Sequence, residues 1–244
     1  MAQPCEGDEE EGSFLKIIID PSFENTKAEC VYNKLKNLST GFIEAIQKFD
    51  GKFPVSHLKF AMDDLGSKVA GQSRPPIDLG NGPVSPDYVI TIVLNNNANS
   101  KAGVHYRPNL LVAKTIGHEV IHAEMFRKLM SLTQESDFDG FNRQEIINLL
   151  SNGDYPGIYD YYRTYKTNWS HQQMANHYRE TIADMLEDHD NHSHTYDFYM
   201  DLAWEGLMYD SISTWSNKSE KEKKRIKNVI LNYIDNNKYQ DCQQ

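Results

Sequence analysis

The stretch Thr-Ile-Gly-His-Glu-Val-Ile-His-Ala, residues 115–123, contains the pattern His-Glu-x-x-His. Apolar residues recur around it from residue 110 to 132 without a proline, and Pro108 precedes them, which predicts a long buried helix. An α-helix has 3.6 residues per turn, so His118 and His122 lie on one face of it, one above the other. A chain with this composition is expected to contain the pattern ~0.02 times by chance. The pattern and its helical setting therefore indicate a functional site.

The residue types in this pattern are those of a zinc hydrolase. Two imidazoles four residues apart can bind one zinc ion at about 2.1 Å from each ring nitrogen. The carboxylate of Glu119 can then reach a water on that ion, whose pKa zinc lowers to about 7. It takes a proton from this water during attack on a carbonyl and passes it to the leaving amine. We therefore predict that His118 and His122 bind zinc and that Glu119 is the catalytic base in peptide-bond hydrolysis.

Two alternatives lack this chemistry. In one, the histidines are a surface pair on a structural helix. In the other, zinc stabilises a non-catalytic binding module or effector, and Glu119 argues against this because a purely structural zinc site has no need of it. Hydrolysis of a non-peptide amide is a third reading that the sequence does not separate from peptide hydrolysis.

A third zinc ligand is expected, because catalytic zinc usually takes three protein ligands. Residues 123–128 (AEMFRK) have no histidine at the spacing of HExxHxxGxxH, which excludes the metzincin arrangement. Two candidates lie on a helix predicted over residues 170–187: His171 at its start, and Glu180, with Asp184 four residues on to orient a ligating histidine. His171 and Glu180 are about 13 Å apart along a straight helix, so they are alternatives.

Four segments carry a resemblance to a known family: TIGHEVIHA, SHQQMANHYRETIADMLEDHD (residues 170–190), DLAWEGL (201–207) and DPSFENTKAECVYNKL (20–35). Together they resemble the SprT-like branch of the zincin metallopeptidases, in its bacterial polymorphic-toxin-associated form. The resemblance implies a zincin-like fold, a zinc cofactor and a protein or peptide substrate. It also implies a third histidine ligand at the start of a later helix, the place that His171 occupies.

Strand patterns cluster early in the chain and helix patterns late, which predicts an α+β fold in a single domain over residues 1–244. By analogy with zincins, the strand before the active helix is expected to pair with an extended substrate. Residues 1–12 are expected to be disordered, 66–87 to form a loop rich in glycine and proline, and 133–168 to form an insertion with a short helix at 143–150. The predicted strands are 14–19, 57–62 and 88–94, and the other predicted helices are 27–49, 196–215 and 220–234.

Composition limits the partners and the compartment. The formal net charge of −10 argues against nucleic-acid binding, and no stretch reaches the roughly 18 apolar residues of a membrane span. No signal peptide is recognised in this sequence, which predicts a soluble protein, cytoplasmic or exported as part of a larger one. Cys5, Cys30 and Cys242 form no CxxC pair, and a Cys5–Cys30 disulfide is open if the protein is exported. The oligomeric state is not predicted.

Overall fold

A computed structural model describes residues 17–47, 56–74, 89–132, 171–210 and 212–243. The predicted disordered start, the predicted insertion at 133–168 and its predicted short helix lie outside the described residues. Because these segments are outside, the expectation of one domain over the whole chain stays a prediction.

The strands form one mixed sheet. They are β1 (Ile17–Ile19), β2 (His57–Asp63), β3 (Gly71–Arg74) and β4 (Val89–Asn95), in the spatial order β1-β2-β4-β3. The first two pairings are parallel, and β3 runs antiparallel to β4. Strand β4 is therefore paired on both sides and offers no free edge to a substrate, so the prediction that it would pair with one is wrong. Among the described strands β3 occupies that edge, within the predicted loop 66–87.

The helices occupy most of the remaining described chain. They are α1 (Lys27–Leu38), α2 (Thr40–Gln47), α3 (Asn109–Leu132), α4 (His171–His189), α5 (Tyr196–Leu202), α6 (Ser213–Ser216) and α7 (Glu220–Asn237). A small mixed sheet with these helices confirms the α+β class. Among the described residues, no helix is long and apolar enough to cross a membrane.

Two predicted helices are interrupted by local hydrogen bonding and backbone conformation. The helix predicted over 27–49 divides at Ser39, which has an extended backbone and whose hydroxyl accepts a hydrogen bond from Phe42 N at 3.3 Å. The helix predicted over 196–215 ends at Leu202, followed by a turn in which Gly206 has a φ of +85°. This second break places the turn beside His118.

Helix α3 is held on two sides. It packs against β3 and β4 of the sheet and against α1 and α4. Gly117 allows the close approach of α4, because a Cβ at this position would lie 3.1 Å from Met185 Sδ. The apolar residues Ile116 and Val120 of α3 are fully buried. Burial of the residues around the His-Glu-x-x-His pattern therefore fixes the orientation of that pattern in the fold.

A disulfide joins the two ends of the described chain. It links Cys30 of α1 to Cys242, and Cys30 is 5 % exposed. The pairing of Cys30 with Cys5, which the sequence left open, is wrong because Cys30 is bonded to Cys242. Spacing along the sequence does not predict this bond, since 212 residues separate the two cysteines.

Candidate metal centre

The two histidines of the pattern converge. Their Nε2 atoms are 3.0 Å apart and their ring centroids 4.6 Å apart, with the rings inclined at 70°. Burial lowers the pKa of His118 well below its ordinary value, and Lys114 and His122 lower it further. Burial also lowers the pKa of His122, against the opposing charge of Glu119. Both rings are therefore neutral near pH 7, the form in which imidazole nitrogen binds a metal.

This geometry fits a zinc ion. In a tetrahedral site with zinc–nitrogen distances of about 2.0–2.1 Å, two ligating nitrogens lie about 3.3 Å apart. The observed 3.0 Å between the two Nε2 atoms is close to that separation.

The carboxylate of Glu119 is held by the neighbouring edge strand. Ser73 of β3 lies 2.9 Å from Glu119 Oε2 and 2.7 Å from the Glu119 backbone oxygen, measured from its hydroxyl. Both side chains are buried, with Glu119 7 % and Ser73 5 % exposed. Gly71 permits this contact between strand and helix, because a Cβ there would come 2.6 Å from Thr115 Cγ2 and 3.1 Å from Glu119 Cγ.

The third ligand is not defined by the described side chains. Among them, no set of three His, Cys, Asp or Glu residues is placed to hold a metal ion. Glu180 is therefore not grouped with His118 and His122 among the described residues, and both Glu180 and Asp184 are exposed on α4. Asp184 Oδ1 accepts a hydrogen bond from the Tyr196 hydroxyl at 2.8 Å. Among the described residues Asp184 is thus bonded to a tyrosine and to neither His118 nor His122.

His171 is the first residue of α4, as the sequence predicted for the start of that helix, and its side chain lies outside the described part of the structure. At 1.5 Å per residue, the fourteen residues from His171 to Met185, the contact of Gly117, span about 21 Å of helix. The point where α4 contacts α3 beside His118 is therefore about 21 Å along the helix from His171. The role of His171 as third ligand stays a prediction.

A buried ionic cluster next to His118 was not predicted. Glu205 Oε2 lies 2.6 Å from the Arg107 guanidinium and 3.5 Å from Lys114 Nζ. Lys114 precedes His118 by one helical turn and is 5 % exposed. A Cβ on Gly206 would lie 3.1 Å from Lys114 Nζ and 3.7 Å from His118 Cε1, so this turn lies beside the His118 ring. The one available signal was a lysine in an otherwise apolar helical segment.

Acid is expected to weaken the fold through Glu205. Burial opposes its ionisation, but Arg107 and Lys114 outweigh burial and lower the pKa of Glu205 from 4.5 to about 2. A carboxyl whose pKa is lower in the folded state stabilises the fold above its ordinary pKa, and this contribution is lost as the pH falls from about 4.5 to about 2. We expect a loss of about 3 kcal/mol from this group.

Urea unfolding of metal-free protein at several pH values over this range measures the effect. The free energy of unfolding of the wild type is expected to fall more steeply than that of Glu205→Gln, which has no charge to lose. Equal slopes for the two proteins contradict the contribution of Glu205.

Comparison with known proteins adds no relative to this description: no family model, no curated protein and no solved structure matches the chain. The fold and the site therefore define the molecule only as an α+β protein with a converging histidine pair and a buried glutamate on one helix.

Proposed function

We propose that this protein is a zinc-dependent metallopeptidase of zincin-like fold, related to the SprT-like type. One observation carries the proposal: the Nε2 atoms of His118 and His122 converge to 3.0 Å on the helix that also carries the buried Glu119. A surface pair of histidines on a structural helix gives no reason for a buried carboxylate beside the two rings.

Each residue of the site has its own proposed role in hydrolysis. His118 and His122 would hold the zinc ion, with His171 as the proposed third ligand. The ion supplies a Lewis acid that polarises the scissile carbonyl and lowers the pKa of a water. Glu119 accepts a proton from the attacking water and delivers it to the leaving amine, which completes hydrolysis into a carboxylic acid and an amine.

A peptide substrate is favoured by the position of β3. This strand is at the edge of the sheet within the described residues and packs directly on α3 beside Glu119. An extended peptide can add to such an edge through main-chain hydrogen bonds, which places its carbonyl groups in a row next to the site. The substrate proposed here is thus an extended segment of protein or peptide, and neither nucleic acid nor a membrane is proposed as a partner.

Metal content is the test of the proposal. Wild type, His122→Ala, His171→Ala and Glu180→Ala are purified without added metal, supplied with zinc, and analysed for zinc per chain. We expect about one zinc ion in the wild type and in Glu180→Ala, and loss of zinc in His122→Ala and His171→Ala, because a site with two protein ligands binds weakly. A quenched fluorescent peptide library then tests hydrolysis, which a chelator is expected to abolish.

Each other outcome changes a different part of the proposal. Zinc retained in His171→Ala removes that residue from the ligand set and leaves the histidine pair intact. A wild type that binds no zinc even when zinc is supplied contradicts the enzyme proposal. Zinc binding without hydrolysis of any peptide in the library supports the non-catalytic binding module.

A further inference from the structure

Ser73 is a polar residue whose buried position the core does not require. The residue is 5 % exposed, and its hydroxyl lies within hydrogen-bonding distance of two oxygens of one residue, the Oε2 and the backbone oxygen of Glu119. A serine hydroxyl has one proton, so it donates to one of these oxygens at a time or shares the proton between them. Either arrangement ties Glu119 to the strand.

The Ser73 hydroxyl contacts Glu119 at two points, its backbone oxygen and the end of its side chain. The backbone oxygen belongs to α3, and the carboxylate oxygen is at the far end of three rotatable bonds. Gly71, two residues before Ser73 and on the same face of β3, lies against Glu119 Cγ in the middle of the side chain. With Oε2 occupied by Ser73, the other carboxylate oxygen is left to take the proton from water.

We infer that Ser73 is a positioning residue for Glu119, and that through it the edge strand sets the orientation of the catalytic base. The inference rests on the proposed peptidase function. Strand β3 is also the strand to which a peptide is proposed to add. The Ser73 hydroxyl therefore links the strand that would bind the substrate to the side chain of Glu119.

The activity test compares Ser73→Thr with Ser73→Val. These two side chains have nearly the same shape and differ in a hydroxyl against a methyl group, so disturbance of packing is shared between them. Loss of a hydrogen bond to a charged group changes an equilibrium constant by about tenfold or more. We expect kcat of Ser73→Val to fall about tenfold or more below that of Ser73→Thr, with KM changed less than about twofold and zinc content equal. Equal kcat values in the two variants overturn the inference.

A second measurement is independent of metal and of activity. Unfolding equilibria of metal-free wild type, Ser73→Ala, Glu119→Ala and the double variant form a double-mutant cycle. Ser73→Ala is expected to change the unfolding equilibrium constant about tenfold when Glu119 is present and by a clearly smaller factor when Glu119 is replaced by alanine, because the hydroxyl then donates only to the backbone oxygen of that residue. The same change in both backgrounds shows that the hydroxyl does not act on the carboxylate and overturns the inference.

The two measurements separate this inference from the proposed function. A wild type that binds zinc and hydrolyses no peptide contradicts the proposed function, even where the cycle shows that the two side chains interact. An active wild type with no difference between Ser73→Thr and Ser73→Val leaves the peptidase in place and removes Ser73 from its machinery.

Discussion

Replacement of Glu119 by glutamine is expected to lower kcat/KM for peptide hydrolysis by about 10²- to 10⁴-fold while leaving zinc bound. Glutamine has nearly the shape of glutamate, so it can still accept a hydrogen bond from Ser73 through its amide oxygen. It cannot take a proton from water at neutral pH, and the proton transfer that Glu119 performs is lost. Zinc stays because the histidine nitrogens, which converge at 3.0 Å, are unchanged.

The measurement pairs initial rates on a quenched peptide with zinc analysis of the same samples. Glu180→Gln is a matched control: it makes the same carboxylate-to-amide change on the neighbouring helix α4, where Glu180 is exposed. Activity and zinc content of this control are expected to equal those of the wild type. If Glu119→Gln keeps full activity, Glu119 is not the base. If both Glu119→Gln and the wild type are inactive but hold zinc, the non-catalytic binding module is favoured.

The sequence predicted the helix that carries the histidine pair well because several independent signals coincide there. An apolar run of helical period, a proline before its start and histidines four residues apart all point to one helix, and the structure has that helix as Asn109–Leu132. The strands β2 and β4 were also predicted, since their alternating or β-branched residues reflect burial in the sheet. What these elements share is that their own side chains make up the core.

The edge strand β3 was missed for a physical reason. Its sequence, Gly-Gln-Ser-Arg, has no apolar residue that would mark a buried strand. Gly71 is there because the backbone of β3 touches α3, and Ser73 because its hydroxyl meets Glu119. Both residues contact helix α3, which is more than forty residues away along the chain. Hydrophobic periodicity within a short segment does not indicate contacts with an element so distant in sequence.

The same reasoning applies to the turn at Glu205. Its apolar neighbours have helical spacing, and a continuous helix was predicted over 196–215. The structure breaks this helix, and the turn brings Glu205 between Arg107 and Lys114. Only the fold shows that the Glu205 carboxylate lies between these two cations in a largely buried place. A prediction made from local spacing therefore placed the histidine pair on one helix but did not find the groups that contact this helix from other elements.

The C-terminal segment supports the start of helix α3 through backbone and amide contacts. Gln240 Oε1 accepts a hydrogen bond from Asn109 N at 3.1 Å, and Asn109 Nδ2 donates to the Asp241 backbone oxygen at 3.0 Å. One residue earlier, Tyr239 N donates to the Tyr106 backbone oxygen at 3.0 Å. The disulfide from Cys242 to Cys30 follows directly after these contacts. The disulfide thus attaches the C-terminal segment to α1. This segment makes the hydrogen bonds of Asn109, the first residue of the helix that carries the two histidines.

Replacement of Cys242 by serine is therefore expected to lower the free energy of unfolding by about 2–5 kcal/mol, because a cross-link across 212 residues removes much of the freedom of the unfolded chain. Urea unfolding in oxidising buffer measures the loss, and wild type treated with a reductant is expected to reproduce it. Cys5→Ser, which leaves the Cys30–Cys242 bond intact, is the matched control and is expected to unfold like the wild type.

If reductant does not change the wild-type midpoint, the bond does not stabilise the protein in solution. If it does, the stability of the fold depends on an oxidising environment, which favours export over the cytoplasm as the place where this site works.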